Sequence, residues 1–167
     1  PDGVLVVRNI TEGTKKVVES VNADLEPDLI YPLLRGTEVK RWIANSSAYI
    51  ILDQDPFTRK GIDEREMQIK YPKTYGYLKH FEQSLRKRAA FKRYYTRRSG
   101  RKIIDTAPFY SMFNVGEYTL STFKVVWHRM IAPIGAVVVG SKDGKPILPQ
   151  ETHAFVATES QEEAFYL

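Results

Sequence analysis

The chain has 167 residues, about the size of one ordinary domain, and its 43% hydrophobic and 27% charged content are those of a folded globular protein. It has no cysteine, which excludes disulfides, zinc–thiolate sites and thiol chemistry, and no apolar run approaches the roughly 18–20 residues that cross a bilayer. Net charge is +5, yet residues 86–102, "RKRAAFKRYYTRRSGRK", hold nine Lys or Arg and no acid, so everything outside that run sums to −4. Basicity concentrated in one place is the footprint of a polyanion binder.

In chain order, the first strand expected is "VLVV" (Val4 to Val7), and "KKVVESV" (Lys15 to Val21) offers a second. "EPDLIYPLLRGTEVKRW" (Glu26 to Trp42) is broken by Pro27, Pro32 and Gly36, which predicts short helical turns around an apolar cluster of Leu33, Leu34, Val39 and Trp42. "AYIIL" (Ala48 to Leu52) reads as a buried strand. "IDEREMQIKYP" predicts a helix with acids in its first turn. From about Tyr75 the apolar positions Leu78, Phe81, Leu85 and Ala89 step by three and four, predicting one long amphipathic helix that runs into the basic stretch and ends at Gly100.

The last third reads as β-rich. "YTLSTFKVVW" (Tyr118 to Trp127), "IGAVVVG" (Ile134 to Gly140) and "HAFVAT" (His153 to Thr158) are strand candidates, with "SKDGKP" supplying an Asp-Gly turn. "SQEEAFYL" opens a helix with Ser160 as its N-cap. The expectation is a single α+β domain over residues 1–167, with short, mainly antiparallel strands packed against the long helix. The chain opens on Pro1 without a secretory signal and closes on what reads as an interrupted helix. A cytoplasmic fragment of a longer protein is therefore expected.

Catalytic signatures are lacking. His80, His128 and His153 stand apart in sequence without a second ligand at metal spacing, and no glycine-rich phosphate loop or nucleophile elbow occurs. Asp28, Glu38 and Lys40 match the loose P-D…(D/E)-x-K pattern of Mg²⁺-dependent nucleases, in which two carboxylates hold the metal and the lysine helps activate water. That chemistry needs Glu38 and Lys40 together on a strand, whereas Gly36 points to a helical turn.

Four segments in order, "DLIYPLLRGTEVKRW" (Asp28 to Trp42), "YPKTYGYLKHFEQSLRKRA" (Tyr71 to Ala89), "PFYSMFNVGEYTLSTFKVVW" (Pro108 to Trp127) and "SQEEAFYL", give the chain a family resemblance. It resembles the target-recognition (specificity) domain, of the TaqI-like C-terminal kind, that follows the catalytic domain in type II and type IIG adenine-N6 DNA methyltransferases of restriction–modification systems. The resemblance implies sequence-specific contact with double-stranded DNA, with no catalysis and no cofactor in this chain. It places S-adenosylmethionine and an Asn-Pro-Pro-Tyr motif in an N-terminal methyltransferase domain of the same bacterial or archaeal polypeptide.

The residues support the same expectation through their own chemistry. Lys and Arg neutralise phosphates and release counterions, and an arginine fork also matches the O6/N7 edge of guanine. The candidates are Arg86, Lys87, Arg88, Lys92, Arg93, Arg97, Arg98, Arg101 and Lys102, together with Arg35, Lys40, Arg41 and Lys124. "PFYSMFNVGEY" (Pro108 to Tyr118) is either a DNA-facing loop or an aromatic plug. Two other classes remain open: the nuclease, and an RNA-binding or protein-interaction module in which "FKRYY" stacks on unpaired bases.

Overall fold

Pro, Gly and abrupt changes of apolar period cut this sequence into many short elements rather than a few long ones. The computed structural model describes residues 3–13, 17–130 and 135–167. β1 (Leu5–Arg8) and β2 (Asn22–Leu25) come first, followed by β3 (Ile30–Leu34), β4 (Val39–Lys40), β5 (Ile43–Ala44), β6 (Ala48–Ile51), β7 (Gln54–Asp55) and β8 (Lys60–Gly61). Four helices follow: α1 (Glu64–Lys70), α2 (Pro72–His80), α3 (Glu82–Arg86) and α4 (Ala89–Tyr94). Then come β9 (Thr96–Ser99), β10 (Lys102–Asp105), β11 (Phe123–His128), β12 (Ala136–Val139), β13 (Ser141–Lys142), β14 (Lys145–Pro146), β15 (Leu148–Pro149), β16 (His153–Thr158) and α5 (Gln161–Tyr166). The class is α+β, as expected. Among the described residues no helix is long and apolar enough to cross a membrane.

The chain forms two compact units, one from Pro1–Leu29 and Lys60–Phe113, the other from Ile30–Arg59 and Asn114–Leu167. In the first, β1 and β2 pair antiparallel, and the Asn9 side chain closes the ribbon by donating to Glu19 O and accepting from Val21 N, both at 2.7 Å. The Asp63 carboxylate caps α1 by accepting from Arg65 N and Glu66 N. Glu26 does the same for α2 from a distant position, accepting from Lys73 N (2.9 Å), Thr74 N (2.8 Å) and the Thr74 hydroxyl (2.6 Å). Leu25, Met67, Leu78, Phe91, Phe109 and Tyr110 are buried in this unit.

The single long helix expected here does not form. Phe81 and Arg88 leave helical geometry within the expected span, so the basic run covers the end of α3, all of α4 and a β-hairpin. α2 itself starts at Pro72, a little before the expected Tyr75, because the proline ring disfavours helical geometry at Tyr71 (φ −132, ψ 56) and suits a first helical position. Gly100 (φ +60) makes the turn of that hairpin rather than the end of a helix. Ala89, expected in the apolar stripe, is exposed, and Phe91 takes the buried place.

In the second unit β11 is flanked antiparallel by β12 and β16 (Val126↔Val137, Val126↔Phe155), and β3 lies between β6, antiparallel, and β15, parallel. Leu34, Val39, Val126, Val137 and Val139 form its core. Expected elements at Ala48–Ile51, His153–Thr158 and Gln161–Tyr166 are present, the last capped by the Ser160 hydroxyl, which accepts from Glu163 N. Asp143 and Gly144 close the β13–β14 turn as expected.

Three expectations need correction. The second strand begins at Asn22; residues 17–21 are not strand, and Lys15 and Lys16 lie outside the described residues, as does Ile134 at the start of "IGAVVVG". Between two short 3-10 turns (Pro27–Leu29 and Gly36–Glu38) runs a five-residue strand, since Pro32 pushes Tyr31 into extended geometry instead of merely breaking a helix. Trp42, expected in the core, is 73% exposed.

Candidate nucleic-acid interface

The basic run divides by local chemistry into braces and free cations. Arg86, half-buried on α3, bonds the Glu82 carboxylate through Nε and Nη2 (2.9 and 2.7 Å) and pairs with Asp105 at the end of β10. Arg88 donates from Nε to Leu85 O (2.9 Å) and from Nη2 to the carbonyls of Phe109 and Ser111 (both 3.1 Å). These two arginines hold the unit together. As candidate DNA contacts they differ from the rest of the run, because their guanidinium groups are already committed.

The other seven are different. Lys87, Lys92, Arg93, Arg97, Arg98, Arg101 and Lys102 are all exposed, and among the described residues none of them makes an ion pair. α4 presents Lys92 and Arg93, and the β9–β10 ribbon presents the last four around its turn. In that ribbon Arg98 lies opposite Ile103, a 74% exposed aliphatic side chain among cations. Asp105 is the only acid on either strand, and Arg86 neutralises it.

Of the aromatics in "FKRYY", Phe91 is buried and the Tyr95 hydroxyl bonds Met112 O, so neither is available to a base. Tyr94, 44% exposed, stacks face to face on Phe113 with centroids 3.9 Å apart, and the Arg93 guanidinium lies 5.3 Å from the Tyr94 ring centroid. Nineteen positions separate the two rings in sequence, and no local pattern signals that pairing. Phe109 and Tyr110 are buried, the plug alternative for that segment, whereas Phe113 is 49% exposed.

In the second unit Lys40 and Arg41 are exposed at the β4–β5 hairpin. Arg35 is bound to Glu38 and lies near the Ser47 hydroxyl (3.3 Å), which withdraws it from the candidate set. Lys124 is corrected more sharply. Its side chain is fully buried, Nζ donates to Ser121 O at 2.6 Å, and burial pushes its pKa down to about 8, with Glu159 partly opposing. β11 is buried at Lys124, Val125 and Val126 in succession, flanked by β12 and β16, which encloses this lysine.

The nuclease pattern finds no support in geometry. Glu38 ends a 3-10 turn, and its carboxylate accepts from Arg35 N (2.7 Å), Ser47 N (3.1 Å) and the Ser47 hydroxyl. Burial raises its pKa, but the bonds from Ser47 and Arg35 outweigh that and leave it below the usual range. Among the described residues no cluster of three or more His, Asp or Glu is arranged to hold a metal ion. His128 and His153, far apart in sequence, are cross-strand neighbours with ring centroids 4.8 Å apart, and His153 is buried.

No protein-family model matches the chain. It is 30% identical over 144 residues, 85% of its length, to the type II methyltransferase M.NspV of a Nostoc species. The chain spans 27% of the length of that relative. A relationship to type II restriction–modification methyltransferases follows from that similarity.

Proposed function

We propose that this chain is the non-catalytic, duplex-reading part of an adenine-N6 DNA methyltransferase, a target-recognition domain of the TaqI-like kind. In this reading an N-terminal domain of the same polypeptide binds S-adenosylmethionine and transfers the methyl group in the cytoplasm of a bacterium or archaeon. The present chain holds double-stranded DNA so that an adenine can be extruded, a step costing a few kcal/mol that protein–DNA contacts offset.

The observation that carries the proposal is the segregation within one run. Arg86 and Arg88 are tied into the fold, while among the described residues the seven neighbouring cations are exposed and make no ion pair. An unpaired cationic surface repels itself and costs stability, which a polyanionic partner reverses. A two-stranded ribbon such as β9–β10 is also one of the elements that the DNA major groove admits. The fluorescence anisotropy of a labelled duplex titrated with the chain tests the proposal. Binding that weakens steeply with salt, without DNA cleavage, is expected. Equal affinity for an RNA hairpin transfers the reading to RNA, and Mg²⁺-dependent cutting abolished by Glu38→Ala establishes the nuclease.

A further inference from the structure

The second unit contains two hairpins closed by two-residue turns, and they are built on opposite principles. β13–β14 turns through Asp143 (φ 54) and Gly144 (φ 74), residue types that tolerate left-handed backbone. β4–β5 turns through Arg41 and Trp42, with Lys40 opposite Ile43, and Trp42 sits at φ 67. Left-handed geometry is strained for a bulky side chain, and such positions are ordinarily filled by Gly or Asn.

Among the described residues no packing of the indole repays that strain. Trp42 is 73% exposed and Ile43 64%. Among the described residues the hairpin is anchored at its base by Val39 in the core and Ala44 packed against it, and Gly135 lies close to the Arg41 backbone. The turn therefore keeps its tryptophan for the side chain, held at the tip of a fixed support. Strained backbone concentrates at sites of this kind, where function offsets the cost.

The surroundings specify the chemistry of the occupant. Lys40 and Arg41 are exposed beside the ring, and the Arg41 guanidinium lies 5.6 Å from its centroid. The neighbouring acid, Glu38, is occupied by Arg35 and Ser47. An exposed indole flanked by two cations complements a π-faced, anionic partner, that is, a nucleobase between phosphates.

We propose that Trp42 is a base-stacking finger: its indole packs on a DNA base where the duplex is unstacked, and Lys40 and Arg41 meet the flanking phosphates. The proposal rests on the duplex-binding reading above and adds to it a residue that senses base opening rather than charge.

The test compares a fully paired 30-base-pair duplex with the same duplex carrying one abasic site, which lowers the cost of unstacking. The chain should prefer the abasic duplex by about 10- to 100-fold, the range expected of one aromatic–base stack. Trp42→Phe should keep most of that preference. Trp42→Gly should bring the ratio of the two affinities to about one, while its melting temperature stays level or rises because glycine suits φ 67. A wild-type ratio of one, or a preference retained in Trp42→Gly, overturns the finger and leaves the duplex-binding reading standing. Absence of binding to either duplex overturns both. A concentration-dependent dimer abolished by Trp42→Gly makes the tip a contact between copies and likewise overturns the proposal.

Discussion

Replacing Arg98 and Arg101 together by alanine probes the cationic ribbon with least damage to the fold. Both are exposed and among the described residues neither is ion-paired; Arg101 lies in the turn beside Gly100, and Arg98 adds one long bond from Nε to Gly100 O (3.3 Å). Surface changes of this kind shift stability by no more than about 0.5 kcal/mol. Each phosphate neutralised contributes about −0.9 to the slope of log K against log salt, so the seven exposed cations of the run set a limit near −6 for their own share of it. Between 50 and 200 mM salt that slope weakens binding by about 6,000-fold, and with two contacts removed the loss shrinks to about 500-fold. The assay is anisotropy of a labelled duplex at four or five salt concentrations, with Arg86→Ala as the contrast. Arg86 faces Glu82 and Asp105, so its loss should lower the melting temperature and leave the slope unchanged. A double variant whose slope equals that of the wild type would refute the assignment of the ribbon, and binding indifferent to salt would refute the whole cationic surface.

Other groups report on the fold. Lys124→Met should stabilise the chain by about 1–2 kcal/mol at pH 7, since it removes a buried amine and strands only one carbonyl, Ser121 O. Because burial lowers the folded-state pKa to about 8, the unfolded chain binds the proton more readily between there and the ordinary lysine value. The wild-type penalty is therefore full below pH 8 and fades as pH rises toward 10.5, so denaturation curves of the two proteins should converge over that interval. Arg88→Ala should cost about 2–3 kcal/mol, measured by urea denaturation, because it strips donors from three carbonyls; Arg88→Lys should not rescue it, lacking the fork. Glu26→Gln should lower stability by about 1 kcal/mol in thermal melts at pH 7. Burial raises the Glu26 pKa, but the bonds from Thr74 and Lys73 outweigh it and leave it depressed, so its contribution should vanish as pH falls through the carboxylate range. Burial, then His128, holds His153 below the usual imidazole value, so the folded state resists a proton that the unfolded chain accepts. Stability should fall on acidification from about pH 6.5, less so in His153→Leu.

What was legible in the sequence was local. The Asp143-Gly144 turn, the Ser160 cap and the bounds of β16 each depend on residues within a few positions of one another, and each is found where expected. The long helix expected from Tyr75 failed because a regular apolar spacing says nothing of the breaks at Phe81 and Arg88, neither of which is marked by Pro or Gly. Trp42 and Lys124 were misplaced for another reason. Hydrophobicity assigned the indole to the core and charge assigned the amine to the surface. The burial of Lys124 is decided by pairings with β12 and β16 that no short window contains, the exposure of Trp42 by its place in a hairpin turn, and the structure reverses both expectations. A two-residue turn without Gly or Asn, between Lys40 and Ile43, was the available signal for Trp42.

The same distinction bears on how a basic run is to be understood. As a block, residues 86–102 offer nine cations, which imply a salt slope near −8 if all meet phosphates. Besides the local Glu82 and Leu85, the partners that withdraw Arg86 and Arg88 are Asp105, Phe109 and Ser111, some twenty residues downstream, which charge density alone does not reveal. Composition and geometry thus give different limits for one measurable quantity, about −8 against about −6. With Lys40 and Arg41 replaced by alanine, so that only the run is counted, a slope steeper than −7 would show that at least one bracing arginine leaves its carboxylate or carbonyls for the phosphate backbone. The fold would then be remodelled on binding, and Arg88→Ala would weaken DNA binding as well as stability. A slope at or below the geometric limit, with Arg88→Ala affecting stability alone, is the expected result, because leaving three backbone carbonyls unpaired costs more than one screened surface phosphate contact returns.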